Sequence, residues 1–289
     1  MRIFITGASG FIGKNLLPVL NEHSLLCLHH SQPILSKSRN IKIIKGDLNE
    51  PDSYIDQLKE FKPDCCIHLA WNGLPDYSVG NSSENLIAGI GLLQNLVQVS
   101  CKKIFIIGSC WEYGSLTGAV TENAEIRDFG VFAAFKIALQ TITEGICRDA
   151  DIKMVWGRAF FVYGPGQRWD ALIPSCYRNL KNGEDLGIKN PLTCNDFVHV
   201  ADVANSIKTL IEATNSGGVY NIGSGISSAV WEVVNTVAKE MGKSPPYIDM
   251  PFNLNGNFAD LSKIRKHNWL PEITLAEGIS NTVKFLDND

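Results

Sequence analysis

Phe4–Leu16 reads FITGASGFIGKNL: a short apolar run, glycines at Gly7, Gly10 and Gly13, then a run with helical character. A residue without a Cβ lets the backbone come close to a pyrophosphate, and the amide hydrogens at a helix start stabilise its charge. The loop from Gly7 to Gly13, including Ser9, Phe11 and Ile12, is therefore a candidate phosphate cradle. An ordinary strand-to-helix turn is the bland alternative. The position of the loop, straight after the first strand-like run of an alternating chain, argues against it.

Outward from that loop, short apolar runs at Ile3–Thr6, Leu25–Leu28, Ile41–Ile44, Cys65–Ala70, Ile104–Gly108 and Met154–Phe161 alternate with helical stretches. The helices are expected at Phe11–Leu20, Leu86–Val99 and Phe135–Cys147, where apolar residues recur every three or four positions. Continuous apolar strands alternating with amphipathic helices predict an α/β fold, a doubly wound parallel sheet covered on both faces. After YGPGQ the pattern changes to helices at Leu172–Leu180, Val203–Ala213, Val230–Met241 and Ala276–Leu286, with a strand and turn in GVYNIGSG. The expected division is residues 1–162 as a dinucleotide-binding domain and 163–289 as mainly a substrate lobe. Some later segments are allowed to return to the first sheet.

The 289 residues are 45% hydrophobic and 19% charged, with a formal net charge of -4. No basic run is longer than the pair in CKK, so nucleic acid is not expected as a partner. No apolar run reaches the ~18–20 residues of a membrane helix, and MRIFITG enters a strand without a leader-like segment. Eight scattered cysteines without a CxxC pair suggest reduced thiols in a cytoplasmic protein and no metal site.

The glycine spacing is GxxGxxG, and further segments carry a resemblance: KGDLNE, IHLAW, ENLIAGIGLLQNL, FVYGPGQR, NDFVHVADVA, VYNIGSG and ADLSKIRKHNWLP. Across almost its whole length the chain resembles the extended short-chain dehydrogenase/reductase family of nucleotide-sugar epimerases, dehydratases and reductases. The resemblance implies a Rossmann-type sheet with a smaller α/β substrate lobe. It implies that Asp47 and Leu48 meet the adenine, that Leu69, Ala70 and Trp71 lie beside the nicotinamide, and that Asn85 and Val162 complete the dinucleotide site. The second strand ends in His29, His30 and Ser31, followed by Lys37 and Arg39, with no carboxylate to grip an unphosphorylated ribose. NADP(H) is accordingly expected over NAD(H).

The family places a Ser or Thr, a Tyr and a Lys in one cleft. The tyrosine exchanges a proton with the sugar oxygen, helped by a lysine four residues on, one helical turn away. IIGSCWEYG puts Ser109 at the hydroxyl position, and GVFAAFK puts Lys136 at the lysine. Phe132 occupies the tyrosine position and has no proton to give. The other Tyr-x-x-x-Lys, Tyr177 to Lys181, falls on the substrate lobe and is read as chance. Two readings of Phe132 stand. A deliberate Tyr→Phe change keeps the packing and deletes one oxygen, and the intact remainder of the site favours it. A native phenylalanine implies a slow enzyme, another donor, or a sensor that holds cofactor without turnover.

Dehydratases of the family carry Asp-Glu just after the Ser/Thr; here those positions are Cys110 and Trp111, which argues against dehydration, with Trp111 a wall for a sugar face. HLAWNGLPDY and GSCWEYG resemble a bacterial subgroup acting on 4-keto-6-deoxy sugar nucleotides in surface-polysaccharide (lipopolysaccharide or O-antigen) synthesis, with Asn72, Leu74, Cys110 and Trp111 around the sugar. The family's usual Asn and Arg at the nucleotide diphosphate are replaced by Phe161 and Asn195, and Arg168 is the best substitute phosphate ligand. The expected function is an NADP(H)-dependent 4-keto-6-deoxy sugar-nucleotide reductase acting on a dTDP, CDP or GDP sugar. A 4-epimerase with bound NAD and an inactive dinucleotide sensor are the alternatives. Leu92, Leu93, Leu96 and Val97 with Phe135, Leu139 and Ile142 suggest either a homodimer through a four-helix interface or packing on the sheet.

Overall fold

The computed structural model describes residues 1–34, 38–251 and 256–288; Lys37 lies outside them. The apolar runs form β1 (Arg2–Thr6), β2 (Ser24–His29), β3 (Ile41–Lys45), β4 (Cys65–His68) and β5 (Lys103–Ser109). Four three-residue strands, β6 (Gly118–Val120), β8 (Phe161–Tyr163), β11 (Ser227–Ala229) and β12 (Asn257–Ala259), together with β7 (Lys153–Ala159), β9 (Cys194–His199) and β10 (Gly218–Ile222), complete the set among the described residues. The main sheet runs β3-β2-β1-β4-β5-β7-β10. The pairs β1–β2, β2–β3, β1–β4 and β4–β5 are parallel. Ile3, Phe4, Ile5, Leu26, Cys27, Cys66, Ile67, Ile104 and Phe105 are completely buried, which is why these strands read as continuous apolar runs rather than alternating ones.

The chain divides into two compact units: Met1–Ser115 with Glu125–Arg158 and Ile207–Tyr220, and Leu116–Ala124 with Ala159–Ser206 and Asn221–Asp289. In the first, α1 (Phe11–Leu16), α2 (Ile55–Phe61), α3 (Val79–Gln98) and α4 (Val131–Asp149) flank the parallel strands. Helix α1 is shorter than its apolar pattern: a 3₁₀ turn takes over at Leu17–Leu20, where Pro18 lacks an amide hydrogen. Helix α3 starts seven residues before its apolar pattern, at a Ser78 cap whose Oγ accepts from the Asn81 amide at 3.3 Å. Those first turns are polar, so hydrophobic spacing carries no sign of them. Leu92, Leu93, Leu96 and Leu139 are buried to 1% or less in the core of this unit. They pack within the unit and are not available to a partner; of the residues considered for an interface, Val97 is exposed and Phe135 and Ile142 are half-buried.

The second unit is built on β11-β9-β8, with β8–β9 parallel and β9–β11 antiparallel, and on the parallel pair β6–β12. Its helices include α5 (Leu172–Asn182), α7 (Val230–Glu240) and α8 (Leu275–Asn288), whose apolar faces share a core with Tyr163 and Phe197; α6 (Val200–Glu212) spans both units in sequence. The apolar run Met154–Phe161 is two strands. The break is at Phe160, whose amide donates to the Ile222 carbonyl at 2.9 Å. The buried Asp196 carboxylate ties four donors together, accepting from the Ser224 amide and hydroxyl and from the Gly225 and Ala259 amides at 2.6–3.0 Å. All eight cysteines are buried thiols.

Candidate active site

In the first unit, the turn after β1 is held by contacts that leave no room for side chains. The Gly10 amide donates to the Gly7 carbonyl at 3.0 Å. A Cβ on Gly13 would lie 2.3 Å from that same carbonyl oxygen, and one on Gly7 would lie 2.6 Å from the Ala70 amide nitrogen. Gly7 also sits at φ +76°, where a side chain is strained. The turn is bare backbone wedged against the end of β4, with Phe11 and Ile12 half-buried in the first helical turn and Ser9 beside them.

Around it, two buried nitrogens have no hydrogen-bond partner among the described residues, Nδ1 of His29 at the end of β2 and Nε1 of Trp71 after β4. Unsatisfied buried polar atoms are costly, so their position beside a bare glycine turn fits a polar ligand such as a dinucleotide. Asp47 accepts from the Asn49 amide at 2.9 Å and lies 3.4 Å from Nε2 of His30, so a carboxylate does stand by the second strand, contributed from beyond β3. Leu48 is half-buried, while Ser31 and Arg39 are exposed near the same edge. Leu69 and Ala70 are half-buried, the Leu69 amide donating to the Thr6 carbonyl at 3.0 Å. Asn85 is committed elsewhere: its side chain receives the Asn72 amide at 2.6 Å and donates to the Asn72 carbonyl at 3.1 Å.

The structure brings Ser109 and Lys136 into one unit with Phe132. Lys136, on α4, is buried and donates to the Ile107 carbonyl of β5 at 3.0 Å, with its Nζ 3.9 Å from the centre of the Trp71 ring. Burial pulls its ammonium down to about 8, opposed by the charge of Glu112. His68, buried on β4, accepts or donates at 2.7 Å with Thr6 Oγ1 and is held neutral, its pKa lowered to about 3 by burial and then by Lys136. Ser109 caps the 3₁₀ turn Cys110–Tyr113: its Oγ accepts from the Trp111 amide at 3.2 Å, which leaves its O–H to donate elsewhere. Cys110 is buried at 3% exposure, whereas Trp111 is 42% exposed.

Phe132 does not stand alone. Its ring meets Trp71, Tyr77 and Trp111 edge-on, at centroid separations of 5.3, 5.2 and 5.8 Å, and Tyr77 lies 5.1 Å from Trp111. Sequence reading missed Tyr77, because nothing in the spacing of HLAWNGLPDY separates a site tyrosine from a loop tyrosine. It also missed Glu112. That carboxylate is completely buried, receiving the Ser109 amide at 2.7 Å, Nε1 of Trp156 at 3.0 Å and Nε of Arg158 at 2.7 Å. Burial pushes its carboxyl up while Arg158 opposes, and the Arg158 side chain is itself 4% exposed. A buried pair with these extra donors fixes the backbone just after β5, where Ser109 stands.

The remaining sequence candidates lie in the second unit. Phe161 and Val162 are in β8, and the Val162 carbonyl accepts from Nε2 of Gln167 at 3.0 Å. Asn195 is half-buried in β9. Arg168 is half-exposed and ion-paired to Asp170 at 2.8 Å. Tyr177 is buried with its hydroxyl donating to Asp287 and accepting from Lys181 at 2.8 Å, so that pair closes on its own neighbours. In the first unit, Asn72 and Leu74 are exposed on the loop after β4.

The model of the NAD dependent epimerase/dehydratase family matches residues 3–223. The chain belongs to that family. Among similar proteins is the Escherichia coli dTDP-4-dehydro-6-deoxyglucose reductase, 25% identical over 98% of this chain and 97% of that protein. The Pseudomonas aeruginosa GDP-6-deoxy-D-mannose reductase is 27% identical over 96% of this chain and 94% of that protein. Against an Arabidopsis thaliana trifunctional UDP-glucose 4,6-dehydratase/UDP-4-keto-6-deoxy-D-glucose 3,5-epimerase/UDP-4-keto-L-rhamnose-reductase, 26% identical, the chain spans about half (47%) of the relative's length. MoeE5 solved with UDP-glucuronic acid and NAD superposes with a TM-score of 0.87 at 26% identity, over 100% of this chain and 99% of that one. The family works with nicotinamide dinucleotides on nucleotide sugars, as oxidoreductases, epimerases and dehydratases. Among the described residues no helix is long and apolar enough to cross a membrane, and no three His, Cys, Asp or Glu side chains form a metal-sized cluster.

Proposed function

We propose that the chain is a cytoplasmic NADPH-dependent reductase of a nucleotide-linked 4-keto-6-deoxy sugar, a step of surface-polysaccharide precursor synthesis. The observation that carries this reading is the fate of the acids beside Ser109. Cys110 and Trp111 fill the positions where dehydratases hold an acid and a base, and the next carboxylate along the chain, Glu112, has both oxygens engaged by Ser109, Trp156 and Arg158. Glu112 is therefore not free to serve an elimination, whereas a reduction needs a hydride from the cofactor, a proton donor and a polarised carbonyl, and no carboxylate. The full-length similarity to two reductases supports the same choice.

On this reading the bare turn at Gly7–Gly13 takes the pyrophosphate and the Trp71–Lys136 corner takes the nicotinamide end. When bound, the reduced nicotinamide supplies a hydride. Ser109 donates its O–H to the sugar carbonyl oxygen, and Lys136 holds its charge under Trp71, ready to bond the adjoining ribose. Trp111 covers one face of the sugar and keeps water off it. His29, His30 and Arg39 favour the 2′-phosphate of NADPH, and Arg168 is offered to the substrate diphosphate, of dTDP, CDP or GDP type. Asp47 beside His30 favours a second reading, a 4-epimerase holding NAD, since a carboxylate suits free ribose hydroxyls.

The test offers NADPH and a panel of 4-keto-6-deoxy sugar nucleotides to the protein and follows cofactor oxidation with mass spectrometry of the sugar. The expected result is stoichiometric NADPH oxidation with one hydride and one proton added to the sugar. Interconversion of epimers with no net oxidation, from protein purified with NAD in place, selects the epimerase instead.

A further inference from the structure

We infer that Tyr77 is the proton donor of this site, supplying from the loop after β4 the phenol that position 132 lacks. The inference rests on the reductase reading and deepens it. Its ground is a juxtaposition: Tyr77 packs at 5.2 Å on Phe132 and at 5.1 Å on Trp111, so a phenol ring is seated in the same aromatic cluster as the ring that lacks a hydroxyl. That cluster adjoins the two other functional groups. Trp111 lies in the turn that Ser109 caps and donates its amide to the Ser109 Oγ, while Trp71, also against Phe132, carries the Lys136 ammonium 3.9 Å above its ring.

The loop holding Tyr77 is built for a fixed position rather than for chain reversal alone. Asn81, in the first turn of α3, donates to the Asn72 carbonyl at 3.0 Å and to the Asp76 carbonyl at 2.7 Å. Asn85 clasps both the amide and carbonyl of Asn72. Asp76 donates its amide to the Gly73 carbonyl at 2.8 Å and accepts the Ser78 amide at 2.9 Å, on either side of Tyr77. Gly73 stands at φ +81°, where a Cβ would fall 2.4 Å from Oδ1 of Asn81. Two asparagine side chains and a left-handed glycine therefore set where Tyr77 stands, and positioning within a fraction of an ångström is what a general acid requires.

The step balances simply. The carbonyl carbon gains the hydride of NADPH, the carbonyl oxygen takes the Tyr77 hydroxyl proton, and the phenolate so formed regains a proton from water, to which half-buried Tyr77 is open. Phe132 then belongs to the site as a packing ring, and the chain needs no tyrosine at 132.

The experiment compares wild type, Tyr77→Phe, Phe132→Tyr and the double variant. If Tyr77 is the donor, Tyr77→Phe lowers kcat by the ~10²–10⁴-fold of a positioned acid while KM and NADPH affinity, read by fluorescence titration, stay within about threefold. Phe132→Tyr alone changes kcat by less than about tenfold, and adding it to Tyr77→Phe restores most of the loss. Tyr77→Phe with kcat unchanged overturns the assignment. If Phe132→Tyr alone creates turnover that wild type lacks, Tyr77 is refuted and the reductase reading stands. If no member of the panel oxidises NADPH with any of the four proteins, the reductase reading itself has failed.

Discussion

At the scale of single residues, Lys136 shows how one side chain answers to both stability and chemistry. Its ammonium is fully desolvated, with one carbonyl and the face of Trp71 for company, and its pKa falls to about 8 from an ordinary 10.5. Below about pH 8 both folded and unfolded chains carry the proton, so the folded state bears the whole desolvation penalty. Between about 8 and 10.5 the unfolded chain holds more protons than the folded one, and stability from this group rises with pH. The expected outcome is that urea stability of wild type gains ~1–3 kcal/mol on Lys136→Met as pH climbs through that window, in the absence of cofactor. Parallel pH profiles of the two proteins would sink it. The lysine was legible in GVFAAFK from its apolar surroundings; its lowered pKa was not, since desolvation is set by Trp71 and β5, which are distant in sequence.

Elements carry the next layer. The turn between β1 and α1 works because two glycines let backbone touch backbone, and the same residue type does something different in α3. A Cβ at Gly13 meets the Gly7 carbonyl and Ala8 backbone at 2.3–2.7 Å, whereas one at Gly91 meets nothing within 4 Å. Gly13→Ala is expected to cost ~1–3 kcal/mol by overpacking and to weaken dinucleotide binding, because only backbone can yield. Gly91→Ala is expected to stabilise by about 0.5–1 kcal/mol, since it removes unfolded-state freedom at an open helical position. Denaturant midpoints of the two variants check both signs at once. The strands of the main sheet were readable because burial on both faces makes them continuously apolar. The start of α3 and the break at Phe160 were not: one depends on a cap and polar turns, the other on a hydrogen bond to Ile222.

For the whole molecule, the described residues include buried polar nitrogens without a hydrogen-bond partner, His29 Nδ1 and Trp71 Nε1, which a bound dinucleotide could satisfy. A ligand that binds only the folded state at a hundred times its Kd adds about 2.7 kcal/mol. NADPH is therefore expected to raise the thermal midpoint by several degrees, by more than NADH at equal concentration, and His30→Ala is expected to shrink the difference. Equal shifts by the two cofactors would remove the preference for a 2′-phosphate. Here the sequence is least decisive, since it shows histidines after β2 and conceals that Asp47 approaches them from beyond β3.

The order of apolar runs and the glycine turn were determined by the sequence alone, because each depends on local periodicity or on spacing along one element, while Ser109 and Lys136 were expected only through the resemblance of their motifs to the family. Which side chains share a site was decided only by the tertiary structure. Tyr77 beside Phe132 and Arg158 against Glu112 join residues 55 and 46 positions apart. Leu92, Leu93 and Leu96 turned inward rather than toward a partner for the same reason: an apolar helix face specifies that it will be covered, and only the fold specifies by what.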